Sequence, residues 1–361
     1  MKHWQAVTAA VILMSVTAAQ AFATFSIVAR DPGTGEIGVA VQSKAFNVGM
    51  AVPWVDARVG AIATQASTNE SFGPRGLALM RAGLSAEETL AHLLARDEGR
   101  ANRQVGVMDA AGGIAQHTGA STMAWAGGVT GDHFAAQGNI LVSEEVVAAM
   151  ARAFESTEGD LAYRLLCTLE AAQEAGGDSR GKQSAAILVG RPSAAHPEYE
   201  ARYVDIRVDD HTEPIREIRR LYHMLEGSDM ALAHIRYAEE YRKAGDEAAA
   251  QRELDRIGMI LTNALAREET TPGTLNGLAW YLATNDTNLE GALEAAERAS
   301  AAEPESFEIL DTLGEVYFRL ARYDDAVKVG EKALALSPDD EYLKSQLDRF
   351  KNRRTDLEPG E

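Results

Sequence analysis

Thr24 stands directly behind two overlapping small-x-small sites, Ala19-Gln20-Ala21 and Ala21-Phe22-Ala23, either of which a signal peptidase could cut. Cleavage after Ala21 leaves Phe22 leading, whereas cleavage after Ala23 makes Thr24 the first residue. A threonine in that place carries a free α-amine within reach of its own hydroxyl. With a reference pKa of about 7.7–8.0, the amine can be neutral near physiological pH and accept the hydroxyl proton. Nucleophile and base then reside in one residue. The plain alternative is that Thr24 is an edge-strand residue without chemistry.

The residues around it must come from a hairpin. Phe25 to Arg30 and Glu36 to Ser43 are short β-type runs separated by the turn residues Asp31-Pro32-Gly33-Thr34-Gly35. With Arg30 facing Glu36, Thr24 lies opposite Gln42, and Ser43 and Lys44 are its near neighbours. A lysine charge there disfavours the ammonium form and makes the amine a better base; otherwise Lys44 is a solvated surface cation. Amide hydrolysis through an acyl-enzyme also needs donors where oxyanion charge develops. Asn139 is the leading side-chain donor, with Gln65 and Asn69 behind it, although glycine-flanked amides also cap turns. Asp178, Arg180, Gln183 and Ser184 form the densest polar cluster, suited to a substrate carboxylate, to orienting the amine, or to a loop network.

Other chemistries are not indicated. His117 and His133 are spaced too irregularly for metal ligands, and one cysteine, Cys167, builds neither a disulfide nor a zinc site. Cys167 sits among leucines and reads as a core thiol. Gly176 with Gly181-Lys182 imitates a phosphate loop. The next residue is Gln183, which has no hydroxyl for magnesium, and the order is helix before and strand after, so ATP binding is rejected. No metal and no cofactor are expected.

At 361 residues the chain has room for about two domains. Its 35 Lys and Arg against 54 Asp and Glu give a net charge of −19, which repels nucleic acid and anionic membranes. Lys2 and His3, the uncharged run Trp4 to Ala19 and the small residues after it read as a signal peptide over residues 1–23. The expectation is a periplasmic or secreted protein with no membrane span.

Strand signals continue at 59–65, 104–109, 114–117, 133–140, 184–190 and 201–208, and helix signals at 74–82, 85–96, 143–154, 160–174 and 214–224. Ser85 and Glu88 form a capping box. Hairpins outnumber parallel crossovers and the helices come in pairs, which predicts an α+β fold, a four-layer αββα sandwich over residues 24–227. After Gly227 strand signals vanish and a 34-residue period appears. Pro304 and Pro338, Ala292 and Ala326, and Ala299 and Ala333 repeat at that spacing. Leu310, Leu313, Gly314, Tyr317, Ala326, Ala333 and Pro338 fit a tetratricopeptide repeat. Repeats are expected at 273–306 and 307–340 after a degenerate helical pair at 229–265, in an all-α domain over 228–345 followed by a polar tail, 346–361.

The stretch Thr24 to Pro32 with Gly38-Val39-Ala40-Val41 closely resembles the start of domain-of-unknown-function family 1028 (DUF1028). So do Gly73-Pro74-Arg75-Gly76, Arg103-Gln104-Val105-Gly106-Val107, Gln137-Gly138-Asn139-Ile140 and Tyr203 to His211, so that the likeness runs over about residues 24–225. The resemblance implies a branch of the N-terminal-nucleophile hydrolases, with an αββα sandwich and a threonine bared by processing. Two functions emerge. One is an exported amidohydrolase that attacks a small amide or peptide-like substrate through Thr24. The other is a non-catalytic periplasmic adaptor whose repeats hold a protein or peptide. Self-association into a homo-oligomer is left open.

Overall fold

The computed structural model describes residues 24–192, 202–357 and 359; the expected leader over 1–23 lies outside them. The chain opens with the hairpin of β1 (Thr24–Arg30) and β2 (Ile37–Ser43). Its turn is one residue longer than the spacing suggested. Asp31 N donates to Glu36 O at 2.8 Å and Gly35 N to Asp31 O at 2.9 Å, with Gly35 at φ 75°. Arg30 therefore pairs with Ile37, and Thr24 with Ser43 instead of the expected Gln42. Ile37 to Val41 are buried on both faces, so apolar alternation could not choose the register and the turn decided it.

There follow α1 (Val48–Ala51), β3 (Pro53–Asp56), β4 (Gly60–Ala66), α2 (Phe72–Arg81), α3 (Ala86–Ala95), β5 (Arg103–Asp109), β6 (Ile114–Thr118), β7 (Gly127–Gly131) and β8 (Phe134–Asn139). Then come α4 (Glu145–Ser156), α5 (Leu161–Glu174), β9 (Ser184–Gly190), β10 (Arg202–Val208) and α6 (Pro214–Leu225). The short α1, β3 and the glycine-rich β7 carry weak local signals and were not expected. The predicted Ser85 capping box on α3 is formed in both directions. Two antiparallel sheets result, one ordered β10-β9-β2-β1-β8-β7 and the other β3-β4-β5-β6.

Alternation along β1 explains how these elements pack. Phe25, Ile27 and Ala29 join Val146 and Met150 of α4, Leu165 and Leu169 of α5 and Ile218 of α6. Val28 lies on the other face with Val39, Val41 and Leu188, in one core with Ala61, Ala63 and Met108 from the four-stranded sheet. The outer face of that sheet, through Ile62, Val105 and Val107, meets Phe72 of α2 and Leu90 and Leu93 of α3. Cys167 is half-buried on α5 and not wholly in the core; burial raises its pKa, and Arg219 approaches its sulfur at 3.8 Å.

The expected domain boundary near 225–230 falls within continuous helix. The last residue of α6 passes directly into a π-helical turn, Glu226–Met230, and then into α7 (Ala231–Lys243). The remaining helices are α8 (Glu247–Ala266), α9 (Pro272–Thr284), α10 (Leu289–Ala302), α11 (Phe307–Arg319), α12 (Tyr323–Leu336) and α13 (Glu341–Lys351). Alanines 292, 295, 296 and 299 allow α10 to pack into the shared core of this region. The polar tail expected from 346 begins later, because α13 continues to Lys351 with Leu347 and Phe350 buried. The Phe350 ring occupies space left by Gly314 and Gly330, where an added Cβ would meet it at 2.9 and 3.3 Å.

A buried ionic cluster joins the two regions. Arg191, just past β9, donates to both carboxylate oxygens of Glu253 on α8 at 3.0 and 2.8 Å and to the Tyr241 hydroxyl at 3.1 Å. His234 Nδ1 lies 2.9 Å from the same carboxylate. The carboxylate of Glu36, from the β1–β2 turn, lies 3.6 Å from both Arg191 and Arg256. Burial pushes the Glu36 carboxyl above its ordinary range. At Glu253, burial pushes up but bonds from His234 and Arg191 prevail, and the carboxyl falls to about 2.

Candidate active site

The pairing of strands places a polar row along one end of the six-stranded sheet. Ser184 on β9 pairs with Ser43 on β2, Ser43 with Thr24 on β1, and Thr24 with Asn139 on β8. Directly paired residues share a sheet face. By alternation from Val28, that face is the one turned toward the four-stranded sheet. Thr24 is 1% exposed, and its Oγ1 donates to Ser43 Oγ at 3.1 Å.

The opposite sheet contributes Gln65 at the end of β4 and Gln104 at the start of β5, which pair with each other. Gln65 Nε2 donates to the Thr24 carbonyl at 3.2 Å and to Gln104 Oε1 at 2.8 Å. Asn139 Nδ2 donates to Gln104 Oε1 at 3.0 Å and more distantly to the Thr24 carbonyl, at 3.5 Å. Gln104 Nε2 in turn contacts Gly138 O at 2.8 Å, Thr118 Oγ1 at 3.0 Å and Gly127 O at 3.1 Å. One glutamine thus ties both sheets to the residue that heads β1. Three buried amides converge on Thr24 or its partners, and Gln65 Oε1 remains a buried acceptor with no partner among the described residues.

Sequence reasoning picked Asn139 and Gln65 separately and missed Gln104. Its available signal was a glutamine heading a run of valines and a methionine. A buried amide in such a strand needs partners, which the sequence alone does not name.

The other candidates occupy different positions. Lys44 is exposed; its Nζ donates to Lys182 O at 3.2 Å and its backbone N–H to Asp178 Oδ2 at 2.7 Å. It follows Ser43 by one residue, so it does not share the direct pairing with Thr24. Asp178 is buried and also accepts from Arg180 N, Nε and Nη2 at 2.9, 3.2 and 3.0 Å, forming a loop network beside the end of β2. Gln183 N donates to Ser43 O at 3.1 Å, while its side chain donates to Asp210 at 3.1 Å. Ser184 Oγ donates to Ala45 O at 2.5 Å and accepts from Val48 N at 3.1 Å, which holds the loop into α1. Asn69 Oδ1 accepts from Ser71 N and Oγ at 3.2 and 2.7 Å just before α2. Thr24, Ser43, Gln65, Gln104 and Asn139 form one bonded cluster. The 178–180 network adjoins it through Lys44, and Asn69 stands apart from these contacts.

Among the described residues no helix is long and apolar enough to cross a membrane, and no group of three or more His, Cys, Asp or Glu is arranged to hold a metal ion.

Fold and site together define a mixed sheet-and-helix domain with an internal polar cluster, continued by a helical-repeat region. Residues 24–218 match the model of a family of unknown function, DUF1028, and the chain belongs to that family. A tetratricopeptide-repeat model matches residues 307–340. The crystal structure of protein SPO2555 from Silicibacter pomeroyi, a DUF1028 protein, is similar at 36% identity and a TM-score of 0.51, over 56% of this chain and 85% of that one. The Sgt2 TPR domain from Aspergillus fumigatus is 24% identical over 32% of this chain and 78% of that one, with a TM-score of 0.26. The first TPR domain of human RPAP3 is 18% identical over 35% of this chain and 94% of that one, also at 0.26. No curated protein matches the chain.

Proposed function

We propose that the protein is an exported amidohydrolase that uses Thr24, bared by processing, as its nucleophile. The observation that carries this reading is that Thr24, the first residue of the family match, lies on β1 inside the six-stranded sheet, held in the polar row between the sheets. In the proposal, the neutral α-amine accepts the Oγ1 proton as the hydroxyl attacks the substrate carbonyl carbon. The amine returns that proton to the departing nitrogen, and water then releases the acyl group. Ser43 orients the hydroxyl. Gln65 and Asn139 grip the Thr24 carbonyl and hold the nucleophile in place; for Asn139 to serve an oxyanion, its amide would have to turn from Gln104. Lys44 and the Asp178–Arg180 network, one residue beyond the row, are the proposed wall for a substrate carboxylate. The apolar clusters between the sheets and on both outer faces support the four-layer sandwich of N-terminal-nucleophile hydrolases.

The test has two parts. Mass spectrometry of the exported protein should find Thr24 first, and Phe22 first with no later trimming counts against the reading. Across a panel of amides, Thr24→Ala should lower turnover by about a thousandfold or more, while Thr24→Ser retains measurable activity. Equal activity in the native and alanine forms overturns the proposal. A second reading, favoured by the tetratricopeptide match, is that the helical region captures a protein or peptide.

A further inference from the structure

A groove runs along the helical region between α9, α11 and α13, with the π-helical turn at one end and a volume of about 320 Å³. Trp280, Tyr281, Phe307 and Tyr342 line it, together with the carboxylates of Glu308, Asp311 and Asp340. Among the described residues no lysine, arginine or histidine lines it. Asp311 is 7% exposed and accepts from two neutral donors, Tyr342 Oη at 3.1 Å and Gln346 Nε2 at 3.4 Å. The nearby Arg349 is bonded to Glu315. Burial pushes the Asp311 carboxyl up to about 6, against the lowering effect of the bonds from Tyr342 and Gln346 and of the Arg349 charge. Asn276, from α9, adds a buried Oδ1 acceptor that has no partner among the described residues. The groove therefore offers acceptors and aromatic faces and lacks cationic side chains. Residues 228–361 carry 28 acidic against 16 basic residues, so the surrounding field has the same sign.

We propose that this groove binds an arginine side chain on a peptide segment of a partner protein, with Asp311 accepting from the guanidinium. This rests on the second reading above and is independent of Thr24 chemistry. A guanidinium supplies a planar fork of five N–H donors, stacks on aromatic rings and is weakly hydrated, which suits a half-dry groove better than an ammonium does. Phe307 and Tyr342 wall the site, and Asn276 takes a further N–H.

The experiment uses the full chain carrying Thr24→Ala, so that no probe is hydrolysed, at about 0.15 M salt to suppress diffuse attraction to the acidic surface. Calorimetry compares short acetylated and amidated alanine–serine peptides that carry a pair of arginines, citrullines, lysines or glutamates. The arginine peptide should bind at least about tenfold more tightly than its uncharged citrulline isostere, and the glutamate peptide should not bind. Asp311→Asn should remove that preference, and the unchanged protein read against citrulline keeps the test valid even if this variant folds poorly. Equal binding of arginine and citrulline, preference for glutamate, or no binding by any member overturns the proposal. None of these outcomes bears on whether Thr24 is a nucleophile.

Discussion

Replacing Arg191 by methionine removes the centre of the buried cluster between the sheet-and-helix domain and the helical region. Arg191 is 2% exposed and touches Glu253, Glu36 and Tyr241, and its guanidinium carbon lies 4.2 Å from the centre of the Tyr237 ring. Methionine restores the apolar stem and no charge. A carboxylate held at about 2 against an ordinary 4.5, as at Glu253, carries about 3 kcal/mol of folding free energy at neutral pH. Breaking one side of a buried ion pair costs about 3–5 kcal/mol in general. His234 stays on Glu253 and Arg256 stays near Glu36, so the lower end, about 3 kcal/mol, is expected. The assay is urea unfolding at pH 7 followed by circular dichroism and fluorescence, with Glu253→Gln and the double variant completing a cycle. The sign with pH follows from the two carboxylates. The Glu253 contribution is full above about pH 4.5 and is lost as pH falls through about 2. Glu36, whose pKa is raised, works the other way: the native state gains stability as pH falls through that raised value. Protonation of both carboxylates relieves the variant, so its deficit narrows in acid. A cost under about 1 kcal/mol at pH 7, or a deficit that widens in acid, refutes the reasoning.

Two further perturbations test the polar cluster and the helical junction. Gln104→Leu keeps the volume but strips partners from Gln65, Asn139, Thr118 and the Gly127 and Gly138 carbonyls, so it should cost about 3 kcal/mol in urea unfolding; a variant as stable as the native protein contradicts the network. Gly277→Ala would place a Cβ 1.9 Å from the backbone oxygen of Gly227 and should cost about 1–3 kcal/mol by forcing α9 from the π-helical turn, read as a lower thermal midpoint; an unchanged midpoint contradicts that close approach.

Local chemistry was legible where a residue's own type dictates its conformation. The Ser85 cap and the small residues of the 34-residue period appear where the sequence put them, and a turn does form at Asp31–Gly35, although it takes in Glu36 as well. Thr24 was singled out by its place behind two cleavage-type sites, and its role is left to the mass-spectrometry and turnover tests above. The hairpin register was not legible, because β2 is apolar on both faces and a one-residue shift leaves the pattern equally buried. The shift decides which residue faces Thr24, so it replaces Gln42 with Ser43.

The sequence by itself determined the order of sheet-forming and helix-forming stretches, the repeat period, the acidic balance and the presence of amides and a threonine at strand ends. Only the tertiary structure decided that Gln104 joins Gln65 and Asn139 around Thr24, that Arg191 binds Glu253 across the junction, and that α13 continues to Lys351 through Phe350. Those contacts link residues 20 or more positions apart. A polar side chain buried in a strand must find a partner, but which partner depends on how the sheets and helices settle against each other, and local periodicity contains no record of that choice.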